Sequence, residues 1–177
     1  MQFRIKLIII SFLTLSACTI SEEEQSYIHH IKQLEHSLDS AAKIYFEIDS
    51  NKLFKVYKHI NSNLARYNDL DTVVNENINA YAANQKSIKN LISEHSIILD
   101  EINYSRNQLQ TLKKDIRNKR ITAEQMENYY LDEKEAVGVL IHKISFNTQN
   151  ISQQLISFSQ LNDSVEMIIK RLEDNKK

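Results

Sequence analysis

The sequence predicts an all-α fold, an elongated antiparallel bundle of three long, coiled-coil-like helices. Three observations carry this expectation. The 177 residues contain no Pro and one Gly, Gly138, so the residues that most often punctuate turns and hairpins are nearly missing. Apolar residues recur at seven-residue spacing over long stretches, as in Val137, Ile144, Ile151, Phe158, Val165 and Leu172, which is the pattern of a helix burying one face. A second series, Val74, Tyr81, Ile88, His95, Ile102, Leu109 and Ile116, meets the first layer by layer when the chain folds back at residues 118–121. The expected layers pair Leu109 with Tyr130, Ile102 with Val137, His95 with Ile144, Ile88 with Ile151, Tyr81 with Phe158 and Val74 with Val165. Such agreement between separately patterned segments is what one consistent fold requires.

The chain opens on a different pattern. Arg4 and Lys6 precede an apolar stretch over residues 7–15, and the small residues Ser16 and Ala17 precede Cys18, the only cysteine. A basic start, a short apolar core and small residues before a cut predict a secretory signal over residues 1–17. The apolar stretch falls short of the roughly 20 residues a membrane span needs, and the acidic run Glu22-Glu23-Glu24 follows soon after it. The segment Leu15-Ser16-Ala17-Cys18 resembles the lipobox of bacterial lipoproteins. That resemblance implies cleavage ahead of Cys18, acylation of its thiol and new amine, and a lipidated tether over residues 18–22. Two or three acyl chains hold a protein firmly to a membrane where one does so marginally.

Helical sequence is expected over residues 23–67, 71–118 and 122–174. In the first region Ile31, Leu34, Leu38, Ala41, Tyr45 and Ile48 form one stripe, and Leu53, Val56, Ile60, Leu64 and Tyr67 form another, shifted by about one residue. Asp49-Ser50-Asn51 sits at the shift; these are weak helix formers and good N-caps, so the first helix is expected to kink or break near 49–51. Residues 68–71 read as a turn with Asp69 or Asp71 as the cap. Basic residues crowd the end of the second helix, as suits the negative end of a macrodipole. Thr122 and Gln125 have the spacing of a capping box and mark the start of the third helix, whose stripe is wide enough to face two neighbours.

Composition excludes several classes of function. With Arg4 and Lys6 removed, 20 basic residues face 23 acidic ones, and a nucleic-acid backbone demands a basic excess, so no nucleic-acid partner is expected. There is no glycine-rich phosphate loop and no nucleophile elbow, and the expectation is a protein that is not an enzyme and carries no cofactor. The six histidines lack the i, i+3 or i+4 pairing of a helical metal site, and no His-Glu-x-x-His is present, so no metal is expected either.

One stretch has a family look: Tyr104-Ser105-Arg106, Gln108-Leu109, Leu112-Lys113, Asp115-Ile116, Ile121-Thr122-Ala123-Glu124 and residues 132–137. It resembles a group of small Bacteroidetes outer-membrane-type lipoproteins, predicted helical and of unassigned function. A looser similarity exists to a Firmicutes group of cell-wall-binding lipoproteins. The Ser21-Glu22-Glu23-Glu24 run is similar to the acidic tag of Bacteroidetes surface lipoproteins, and it also suits the first turn of a helix. The first resemblance implies a lipid-anchored outer-membrane location, on the periplasmic or the cell-surface face. Asp39-Ser40-Ala41, Asp71-Thr72-Val73 and Asp163-Ser164-Val165 look like Bacteroidetes acceptor sites for O-linked glycans, with Thr72, Ser40 and Ser164 as the acceptors.

The basic turn, Lys113, Lys114, Arg117, Lys119 and Arg120, is a candidate contact for an anionic membrane surface. The functional expectation is a lipid-anchored helical envelope protein that binds a protein or an envelope component. The alternatives are a self-associating structural lipoprotein, or a small-ligand or metal carrier with a pocket between helices, sought where Asn147, Thr148 and Gln154 face His95.

Overall fold

The computed structural model describes residues 20–70 and 75–176. All regular structure among them is helical: α1 (Glu22–Phe46), α2 (Ser50–Leu70), α3 (Glu76–Arg117) and α4 (Ala123–Asn175). The predicted signal, Cys18 and Thr72 lie outside the described residues. No described helix is long and apolar enough to cross a membrane.

The expected three helices are four, because the first region is divided at residues 47–49. The sequence explains the division. Ile31, Leu38 and Tyr45 are buried at heptad spacing, and an unbroken helix would carry that series on to Lys52. The companion position that holds Ala42 would carry Asp49 inward. The chain instead leaves the helix after Phe46, and Asp49 Oδ1 accepts from the Lys52 amide at 3.1 Å. The new helix starts one residue out of phase, and Leu53, Val56, Ile60 and Tyr67 turn to the core in place of the charged residues. Burying an unpaired lysine and aspartate would cost far more than the few helical hydrogen bonds given up.

α1 and α2 do not pack on each other; each packs on both α3 and α4. Lys143 Nζ bonds Glu101 Oε1 at 2.7 Å, Asn147 Nδ2 bonds Glu94 at 2.7 Å and Asn84 Nδ2 bonds Gln154 Oε1 at 2.8 Å. These contacts run α3 and α4 antiparallel. Tyr45 meets Asn147, and Arg66 meets Glu173, so α1 and α2 both run parallel to α4, end to end along the α3–α4 pair. The expected Tyr81–Phe158 layer is present, with ring centroids 6.2 Å apart. The expected layer at Val74 lies outside the described residues.

Local chemistry sets the ends. Ser21 Oγ accepts from the Glu24 amide at 3.1 Å while the Glu24 carboxylate takes the Ser21 amide, so α1 starts in a capping box with its acidic run as the first turn. Ile20, just ahead, packs against the core beneath. The Thr122–Gln125 box opens α4 as expected, with reciprocal bonds of 3.2 and 2.9 Å.

Residues 68–70 of the expected turn are helical. α2 runs through Asp69 to Leu70 because Tyr67 and Leu70 extend its apolar stripe into the core. Asp69 therefore lies in the last turn of α2, Asp71 lies outside the described residues, and Asn75 caps α3 by accepting from the Asn77 and Ile78 amides at 3.0 and 3.4 Å.

α3 ends in a Schellman motif: the Arg120 amide reaches Asp115 O at 3.0 Å and the Lys119 amide reaches Ile116 O at 3.1 Å. Lys119 takes the left-handed position, φ 54°, that glycine usually fills.

Candidate functional site

The seams between helices differ in how they are closed. Between α1 and α3, Lys113 Nζ meets Glu35 at 2.5 Å and Arg106 meets Asp39 at 2.7 Å, while the Arg106 guanidinium also lies 5.4 Å from the Phe46 ring centre. Long side chains therefore bridge and cover that seam. Between α1 and α4 a shallow apolar groove of ≈ 440 Å³ is lined by Ile44, Ile141, Thr148 and their neighbours, with no charged group.

The α3–α4 seam on the side away from α1 is larger and chemically distinct. It holds a groove of ≈ 660 Å³ lined only by α3 and α4. Ser105 and Leu140 are buried at its base, whereas Tyr104 and Val139 stand 65% and 63% exposed at its edges. One heptad further along the same faces, Ile97 and Phe146 are 51% and 60% exposed. The apolar ribbon thus continues past the Glu101–Lys143 pair that crosses the groove. At the other end a smaller groove of ≈ 240 Å³ continues through Tyr129, Asp132 and Glu133 to Asp115.

Acidic groups dominate the lining. Glu101, Asp132, Glu133 and Glu135 face one cation, Lys143, which is bonded to Glu101. Burial pushes the Glu133 carboxyl above the ordinary glutamate value, and the neighbouring Asp132 charge pushes it further. A cation placed there would favour the ionised carboxylate and so oppose both effects.

In the layer expected for an internal ligand, the polar side chains bond one another or the backbone. Tyr45 stacks on His95 at 5.0 Å and donates to Asn147 Oδ1 at 2.9 Å. Asn147 donates to Glu94, Thr148 bonds the Ile144 carbonyl, and Gln154 receives Asn84. Burial lowers the His95 pKa below its ordinary value. Burial raises that of Tyr45, with the Glu94 and Glu101 charges adding to it. His95 Nε2 is buried without a hydrogen-bond partner. Among the described residues, no cluster of three His, Cys, Asp or Glu has a metal-binding arrangement.

The other sequence candidates are placed as follows. Ser40 is exposed on α1 with its hydroxyl on the His36 carbonyl at 2.8 Å, and Ser164 is half-buried within α4. Of the basic turn, Lys113 is held by Glu35 and Arg120 lies 3.4 Å from Asp115, whereas Lys114, Arg117 and Lys119 are exposed. The turn lies at the same end of the bundle as Ile20: Tyr27, seven residues on in α1, packs edge-on against Tyr130 early in α4, with ring centroids 5.5 Å apart.

Little in the local pattern marks the groove: Tyr104 and Tyr129 suit boundary positions of a helix, and Asp132 and Glu133 suit a solvated helical face. The available signal was the pair of off-stripe heptads Ile97–Tyr104 and Val139–Phe146, apolar where a solvated face calls for polar residues.

No family model matches the chain, and no curated protein or solved structure is similar to it.

Proposed function

We propose that this protein is a lipid-anchored, non-enzymatic helical module of the bacterial outer membrane that binds a protein partner. The supporting observation is that Ile97, Tyr104, Val139 and Phe146, each more than half exposed, recur at heptad spacing on the two facing helices α3 and α4. Exposed apolar groups that gather along one face mark contact surfaces, whereas scattered ones are ordinary.

The anchor rests on Cys18 and its sequence context. The close packing of Ile20 on the bundle supports a short tether, with the helices standing near the lipid rather than swinging on a long leash. Lys114, Arg117 and Lys119 would then face the headgroups. Their attraction to an anionic leaflet would add about 1 kcal/mol per basic residue.

The anchor is tested by labelling cells with radioactive palmitate and fractionating their membranes. The wild-type chain should take up label and sediment with the outer membrane, and Cys18→Ala should do neither. An unlabelled wild-type chain, or a Cys18→Ala variant still carrying label, defeats the proposal.

A further inference from the structure

In the α3–α4 groove, apolar exposure and acidic groups without an ion-pair partner among the described residues coincide. We infer that the groove docks a basic amphipathic helix presented by a partner protein; this rests on the reading of the chain as a binding module and names the chemistry of what it binds.

Shape, charge and period each argue for that occupant. The groove lies between two long helices, so a third rod fits along it as α1 fits the opposite side. Asp132, Glu133 and Glu135 have no ion-pair partner among the described residues, and the only cation in the lining is already on Glu101. A neutral apolar ligand would leave these carboxylates uncompensated, and an acidic one would be repelled. Lys and Arg flanking an apolar stripe meet both the ribbon and its rim.

The exposed apolar residues recur at seven-residue spacing on both walls, Ile97 to Tyr104 and Val139 to Phe146, about 10 Å along each helix. A helix with its own apolar residues every third, fourth and seventh position matches that step. A second copy of this chain fits less well, because a two-fold contact centred on the acidic lining sets those carboxylates against themselves. The apolar α1–α4 groove lacks the charged rim that would select a basic partner.

The test uses the full chain with a photo-crosslinking amino acid at Val139 in the groove or, as control, at Ser159, which is exposed on α4. The probes are two biotinylated synthetic helices of about 18 residues, roughly 27 Å long, with one apolar stripe and either Lys or Glu on every flanking position. The Lys helix should form adducts at 139 and not at 159, and the Glu helix at neither. The charge-reversed chain Asp132→Lys, Glu133→Lys, Glu135→Lys should lose the Lys-helix adduct by about tenfold or more and gain the Glu-helix adduct. Its circular-dichroism spectrum should match wild type, since all three side chains lie on the groove rather than in the core.

Equal adducts at both positions, unchanged adducts after charge reversal, or a crosslinked homodimer formed at 139 without any peptide would each overturn the inference. The anchor is scored separately by palmitate labelling. Groove adducts on a chain that never acquires acyl groups would uphold this inference while defeating the lipoprotein reading. A labelled chain without adducts would do the reverse.

Discussion

The two halves of the bundle share α3 and α4, yet they are held together differently. In the α1 half the core is mainly aliphatic, built on Ile31, Leu38, Ile98, Ile102, Leu109 and Ile144, with the buried Tyr45–Asn147 bond at the end nearest α2. In the α2 half the aliphatic layers are interrupted by a buried polar network. Tyr81 Oη donates to Asn162 Oδ1 at 2.7 Å and receives Asn63 Nδ2 at 3.3 Å, and Asn84 reaches both the carbonyl and the side chain of Gln154. Burial raises the Tyr81 pKa, opposed by the Asn63 hydrogen bond.

Aliphatic layers supply burial free energy but are tolerant of slippage by a heptad; amides and phenols must meet particular partners or remain unsatisfied. The polar network of the α2 half, together with the Tyr45–Asn147–Glu94 bonds at the junction, therefore fixes the register of α3 on α4, and the α1 half supplies much of the buried aliphatic surface. The exposed ribbon also lies in the α1 half, where the groove between α3 and α4 has no third helix over it.

The sharpest way to break this contrast is to cut a cavity in the aliphatic half. Ile102 is fully buried, and Ile102→Ala should lower the unfolding free energy by about 2–5 kcal/mol, read as a lower urea midpoint. Tyr81→Phe in the polar half should cost less, about 1–2 kcal/mol, because the ring still fills its layer while Asn162 and Asn63 lose a partner. A Tyr81→Phe loss as large as that of Ile102→Ala would erase the distinction between the halves.

The junction of the halves gives a pH signature. His95 stacks on Tyr45 there, and its buried ring favours the neutral form. Its folded-state pKa lies below the ordinary 6.5, so the unfolded chain binds the proton first as pH falls. The contribution of His95 is complete above pH 6.5 and declines below it, down to the folded pKa. Urea midpoints at pH 7.5 and about 5.5 should differ in the wild type. They should differ less in His95→Leu, which also removes an unpartnered ring nitrogen. Equal pH dependence in both proteins would remove His95 from this role.

The smallest effect belongs to the α3–α4 turn that closes the α1 half. Lys119→Gly should raise stability by about 0.5–1 kcal/mol, since a left-handed residue with a side chain is strained and glycine is not. A loss of stability there would mean that the Lys119 side chain contributes more than its backbone costs.

Much of this architecture was legible in the sequence. The Thr122–Gln125 cap, the Tyr81–Phe158 layer and the shift of stripe at residues 49–51 follow from local rules: one residue type, one spacing, one consequence. What resisted reading was competition between neighbours. Asp69 looks like a cap, but Tyr67 and Leu70 draw the helix past it. Tyr104 and Val139 look like boundary residues, because a single helix pattern gives distance from its own stripe and not which neighbour covers the remainder.

By itself the sequence determined that the chain is helical, where α3 turns into α4 and which stripe each long helix buries, because these depend on local capping and on the periodicity of side chains along a single helix. Only the tertiary structure decided that the first arm is two helices, that Asn147 and His95 both meet Tyr45, and that an acidic groove is left open between α3 and α4. Those outcomes depend on how three helical surfaces share one core at each level, and a surface is covered or exposed only relative to what is packed against it.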